Sequence, residues 1–193
     1  MRKRIGVICI FLGVVCLLGS VGFLGYNRWE AENAAKVSNT LLQDVQTAIA
    51  EQNTQQKETT MPTVKIDNYE SIGVLSIPAL ELELPVLTDW SYAKLKKAPC
   101  HYYGSYYDAD FVIAAHNYKS HFGRLSQLQP GDVFVFTDVN ATTHYYKVVL
   151  TETLPKNATE EMITSGFDLS LYTCTKGGGS RITVRCKSVQ EPS

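Results

Sequence analysis

Residues 5–27 carry no charged side chain. A stretch of that length constrains the fold more than any other feature of the chain. As a helix rising about 1.5 Å per residue it reaches roughly 35 Å, enough to cross a hydrocarbon core of about 30 Å with some tilt. Arg2, Lys3 and Arg4 precede it, whereas Arg28 is followed by Glu30 and Glu32. That asymmetry predicts a cytoplasmic N-terminus and places everything after Asn27 outside the cell. A cleaved signal peptide is the competing expectation. Its apolar core is usually only about 7–15 residues and ends at small side chains. Here Tyr26-Asn27-Arg28-Trp29 follows, a sequence better suited to an interfacial belt. The expectation is a cytoplasmic tip and single-pass transmembrane helix over residues 1–29.

Residues 30–52 are rich in Ala, Gln and Glu and lack Gly and Pro. Val37, Leu41, Val45 and Ala48 recur at helical spacing, with Leu42 and Ile49 alongside. This predicts a helical stalk. A coiled-coil dimer is the alternative, but the pattern is short and Asn-rich. Residues 53–63 are polar, include Pro62, and read as a linker. Stalk and linker together span 30–63, leaving 64–193 as one folded domain.

From Val64 onward short apolar runs alternate with turn signals. Strands are expected at 72–77, 82–87, 100–103, 111–116, 133–137, 144–153, 169–174 and 181–187. Pro85 marks its strand as an edge or bulge. Helical turns are expected at 92–97 and 122–128. Many short strands with few helices imply an all-β closed barrel or a sandwich.

The formal net charge of −1 gives no case for nucleic acid as a partner. Of five cysteines, Cys9 and Cys16 fall in the apolar stretch. Cys100, Cys174 and Cys186 remain, an odd number that leaves at least one free thiol. No CxxC pair and no Cys/His cluster has zinc-site spacing. A catalytic thiol is therefore sought before a disulfide framework or a metal.

Gly177, Gly178 and Gly179 separate two strand-like runs and predict a hairpin. It would set Cys174, at the end of one strand, beside Arg181, at the start of the next. A cation beside a thiol favours the reactive thiolate, and a guanidinium can donate hydrogen bonds to an oxyanion. Taken alone, a strand cysteine is more often a small buried hydrophobe. The apolar run Phe111-Val112-Ile113-Ala114-Ala115 ends in His116. His101 could line a cleft, His121 sits in the following loop, and His144 reads as a strand-surface residue. Period-two alternation puts Arg185 on the same face as Arg181, as the reserve arginine, and Cys186 on the opposite face.

These motifs occur in one order: Ala115-His116-Asn117, then Phe122-Gly123-Arg124-Leu125, then Pro130-Gly131-Asp132, then Ser170-Leu171-Tyr172-Thr173-Cys174, then Arg181. Together they resemble the sortase family, whose signature reads roughly Thr-Leu-x-Thr-Cys. The opening run Ile72-Gly73-Val74-Leu75-Ser76-Ile77-Pro78 with Leu84-Pro85-Val86 is similar as well. The resemblance spans about residues 70–187. Two departures are Ser170, where Thr is usual, and Ala115, where Gly is commoner.

The resemblance implies a closed eight-stranded β-barrel and two-step acyl transfer. It implies Cys174 as nucleophile, His116 as acid/base and Arg181 as stabiliser of the transition state. Thr173, Ala115 and Asn117 are the implied substrate-binding residues. The implied partners are an LPXTG-like sorting-signal peptide of secreted surface proteins and an amine from a cell-wall precursor or a pilin. No cofactor is implied. Some relatives use calcium, but Asp108, Asp110 and Glu160 read as scattered surface acids, so no metal site is assigned. Thr88-Asp89-Trp90 follows the second strand, whereas the pilin-building group places its Asp-Pro-Trp-type lid before the barrel; this suggests a class B- or D-like enzyme of Gram-positive cell surfaces. An L,D-transpeptidase is a weaker reading, since its cysteine normally follows Ser-x-Gly. A non-catalytic binding module on a membrane stalk, with a Cys100–Cys186 disulfide, is the reading from a different class.

Overall fold

The computed structural model describes residues 2–51 and 61–191, with side chains over 12–50 and 61–191. The linker expected at 53–63 lies mostly outside the described residues. Two compact units divide the chain, Met1–Asn33 and Ala34–Ser193. Helix α1, Arg2–Glu51, begins in the first and ends in the second. Among the described residues no helix is long and apolar enough to cross a membrane. The side chains of residues 5–11, where the uncharged run begins, lie outside that description. The membrane helix expected there therefore gains no support from the structure and rests on the sequence.

The second unit is built on nine strands: β1 Val64–Ile66, β2 Tyr69–Ile77, β3 Leu82–Leu87, β4 Cys100–Tyr103, β5 Phe111–Ala114, β6 Val133–Asp138, β7 Thr143–Pro155, β8 Leu169–Cys174 and β9 Ser180–Val189. They run in the order β1-β2-β3-β4-β5-β8-β9-β7-β6, and β2 pairs again with β6. That pairing closes an eight-stranded barrel, with β1 left outside the ring as an antiparallel ribbon on β2. The eight expected strands are the eight of the barrel. The ribbon strand β1 and the short helix α3, Thr159–Ile163, were not foreseen. The expected turn at 92–97 forms as α2, Tyr92–Leu95, capped by the Ser91 hydroxyl, which accepts from the Lys94 N–H at 3.1 Å.

The interior is filled by alternate residues of each strand. Phe134 and Phe136 of β6, Phe111 and Ile113 of β5, and Leu169 and Leu171 of β8 are fully buried in one cluster with Phe122 and Leu125. Each such side chain contributes about 2 kcal/mol by leaving water. Closure depends on Gly73. Its φ is +148°, and a Cβ there would lie 2.1 Å from the Thr137 carbonyl oxygen of β6. Only glycine allows the two strands to meet.

The barrel is thinnest between β3 and β4, which pair only at Leu87 and Cys100. Pro85 lies where β3 has no partner on that side, as the edge expectation required. The last turns of α1 cover this gap. Leu41 packs with Leu87, Ala98 and Cys100, and Val45 packs with Val64, Val74 and Val139. Gln46 donates to the Glu83 carboxylate at 2.9 Å. The helical stripe read as a stalk is thus, from Ala34 onward, part of the barrel's covering, a helix laid over a sheet edge.

Candidate active site

Three strands bring the site together. β5 and β8 are parallel neighbours, with Ala114 beside Tyr172, and the Ala115 N–H continues the ladder to the Tyr172 carbonyl at 3.2 Å. His116 and Cys174 each lie two residues further on, so they leave the sheet at the same end. β8 and β9 are antiparallel, and Cys174 pairs directly with Arg181. The intervening turn is made by Gly177 and Gly178, with φ of +94° and +75°. His116, Cys174 and Arg181 all line one cleft. Cys174 and Arg181 are half-buried, and the Arg181 Nη1 donates to the carbonyls of Gly178 and Ser180 at 3.2 and 3.1 Å.

The cleft has two unlike walls. One is aromatic: Trp90 meets Tyr102 at 5.7 Å between ring centroids, and Tyr102 meets Tyr172 edge-on at 5.3 Å. The other is aliphatic, from Pro155, Ala158 and Met162. Among the described residues no carboxylate lines it, whereas Lys156 joins Arg181 there.

Of the implied substrate-binding residues, Ala115 lines the cleft. Thr173 points the other way, into the barrel; its hydroxyl donates to the Ala115 carbonyl at 2.8 Å and ties β8 to the histidine-bearing segment. Asn117 is exposed and is not among the lining residues. The other histidines are elsewhere. His101 is held between the carbonyls of Thr88 and Gly104, His144 meets Asp138 at 3.5 Å, and His121 is fully buried.

Arg185 shares the face of Arg181, as alternation predicts, but it is 2% exposed. Its guanidinium donates to Glu152 Oε1 at 2.7 Å, to Ser170 Oγ at 2.8 Å and to the Glu161 carbonyl at 2.6 Å. It holds α3 against the barrel wall formed by β7, β8 and β9, and its donors are engaged there. The hydroxyl retained at Ser170 has a use in this contact. Asp110 is similarly engaged, accepting from Ser165 and Gly166. Cys100 and Cys186 are buried and free, so no disulfide joins them. Burial pushes the Cys100 thiol up to about 12 and raises that of Cys186 as well.

The sortase domain family model matches residues 75–189. The chain belongs to the sortase family. The family is one of cysteine transpeptidases, and the barrel, with its cysteine and arginine on adjacent strands, agrees with that. No curated protein matches the sequence closely enough to count as a relative. Solved structures share the sortase fold at low identity. Sortase C from Clostridium perfringens SM101 is 20% identical, with a TM-score of 0.57 over 84% of this chain and 90% of that one. Sortase C-3 from Streptococcus pneumoniae is 24% identical, with a TM-score of 0.58 over 82% and 84%. A lid mutant of sortase A from Corynebacterium diphtheriae is 20% identical, with a TM-score of 0.58 over 80% and 97%. One further Clostridium perfringens sortase C structure contains the C-terminal cell wall sorting motif.

Proposed function

We propose that this sortase cleaves an LPXTG-like sorting signal and transfers the acyl fragment, which ends in the signal's Thr, to an amine through a thioester at Cys174. The observation that carries the reading is the pairing of Cys174 with Arg181 across β8 and β9, in a cleft that His116 also lines. The Cys174 thiolate attacks the carbonyl carbon after the signal's Thr. Arg181 hydrogen-bonds the oxyanion that forms. His116, as imidazolium, protonates the leaving nitrogen; the C–N bond breaks and the thioester remains. The acceptor amine then attacks the thioester and loses its proton to His116. An amide forms, and the thiolate is released.

The acceptor in this reading is an amine of a cell-wall precursor or a pilin. The uncharged run at 5–27 supports an anchored enzyme with its N-terminus in the cytoplasm and its barrel outside, on a Gram-positive cell surface. Asp89-Trp90 after β3 supports a class B- or D-like subclass.

The test is to incubate the full chain with LPXTG-like peptides and read intact mass. A covalent adduct is expected on Cys174, absent in Cys174→Ala and discharged by an added amine. Cys100 and Cys186, being buried, should stay unmodified in the native protein. A thiol at Cys174 that alkylates readily but never carries peptide, across a broad panel of signals, would remove the reading.

A further inference from the structure

The segment after β5 is a compact closed loop. Phe122 N–H returns to the His116 carbonyl at 3.1 Å, and His121 and Gly123 N–H both donate to the Tyr118 carbonyl at 2.9 Å. A Cβ on Gly123 would lie 2.5 Å from the Asn117 carbonyl oxygen, so the closure requires glycine there. Phe122 and Leu125, both fully buried, fasten the loop to the core. Within it three rings form a ladder. His116 stacks on Tyr118 at 4.9 Å with 27° between planes, and Tyr118 meets His121 at 5.6 Å.

We propose that Tyr118 is a positioning residue: its ring holds the His116 imidazole at the cleft and favours the protonated form. The proposal rests on the reading of His116 as the acid/base group. A tyrosine face is electron-rich and attracts a cation stacked on it within about 6 Å. Other groups act on His116 from the elements around the cleft. Arg181 on β9 and Lys156 beyond β7 oppose a further positive charge, while a Cys174 thiolate on β8 favours it. Tyr102 on β4 and Tyr172 on β8 are phenols, and burial keeps Tyr172 neutral by raising it. Tyr118 offsets the two cations from the loop side.

His121 completes the arrangement by carrying no charge. It is fully buried, and among the described residues neither ring nitrogen has a hydrogen-bond partner. Burial, and then the charge of His116, push it down to about 4. At neutral pH it therefore does not repel an imidazolium on the other side of Tyr118. A second cation there would cancel what the ring supplies.

The test is an NMR titration of the His116 ring in the full chain, assigned by its loss in His116→Gln, together with kcat/KM against pH. Tyr118→Leu should release the His116 proton at a pH lower by about 0.5–1 unit, with the basic limb of kcat/KM moving by the same amount. Tyr118→Phe keeps the ring face and should restore both. If the leucine variant does not fold, Tyr118→Met, closer in length, takes its place. An unchanged titration in the leucine variant overturns the proposal. So does a phenylalanine variant that shifts as far, because the ring face would then not be the cause. Should the wild-type chain transfer no peptide while Tyr118→Leu still moves the titration, the stacking effect stands and the catalytic reading of His116 falls.

Discussion

Arg181 and Arg185 lie on one face of β9, and their surroundings differ at nearly every contact. Arg181 faces Cys174 at the cleft and donates to carbonyls of its own turn. Arg185 is enclosed by Glu152, Ser170 and the α3 backbone, with Phe167 5.9 Å away. The same contrast repeats for the other two reactive residue types. His116 opens on the cleft and His121 is sealed in the core; Cys174 lines the cleft and Cys186 packs inside. Residue type and strand position thus do not decide chemistry here. What separates the members of each pair is whether the side chain lines the cleft or is buried away from it.

The sharpest way to break the contrast is to truncate both arginines. Arg185→Ala leaves the Ser170 hydroxyl and the Glu161 carbonyl without their donor and should cost about 4 kcal/mol of stability, read as a lower urea midpoint. The fraction still folded should remain active. Arg181→Ala should keep the midpoint and lose roughly 10²–10³-fold in kcat/KM, about 3 kcal/mol in the transition state. Arg181→Lys keeps the charge without the planar fork and should recover little of this. A folded but inactive Arg185→Ala beside an active Arg181→Ala would reverse the assignment.

The histidines sharpen it by pH. With a folded value near 4 against about 6.5 when unfolded, His121 leaves stability untouched above pH 6.5. As pH falls below that, the unfolded chain takes up a proton that the folded chain refuses. Up to about 3 kcal/mol should be lost by pH 4. Urea unfolding of His121→Leu across the same range should lack this acid slope; an identical slope in both proteins would place the cause elsewhere. The smallest effect concerns the wall beside the reactive groups. Trp90 is 44% exposed at the cleft mouth, and Trp90→Ala should raise KM by about fivefold, near 1 kcal/mol, with kcat little changed.

The barrel was legible because its strands are short, apolar and bounded by Gly, Pro and Asp. The Cys174–Arg181 hairpin was legible because three glycines break two β-rich runs. β1 escaped notice at three residues, although Asp67-Asn68 is a turn signal and Asp67 does adopt a positive φ of 50°. α3 has five residues and no side-chain cap, and the acidic pair Glu160-Glu161 in its first turn is too short a signal to announce it. The stripe Val37, Leu41, Val45 was visible, but the surface it covers is made by Leu87, Ala98 and Val139, which no local pattern links to it. The separation of Arg185 from Arg181 was out of reach for the same reason, since Glu152 and the Glu161 carbonyl arrive from distant parts of the chain. Asn117, implied by the resemblance as a substrate-binding residue, is exposed and does not line the cleft, because adjacency to His116 past the end of a strand does not fix direction in space.

The wedging of β8 between β5 and β9 also has a consequence for biosynthesis. A nascent chain leaving the ribosome displays β5 long before β8, and β8 lacks its second neighbour until β9 has followed. Cys174 is set beside Arg181 only after β9 has emerged and paired with β8. A stalled or truncated product ending before β9 would hold the cysteine without its arginine, and such fragments should be unable to capture peptides.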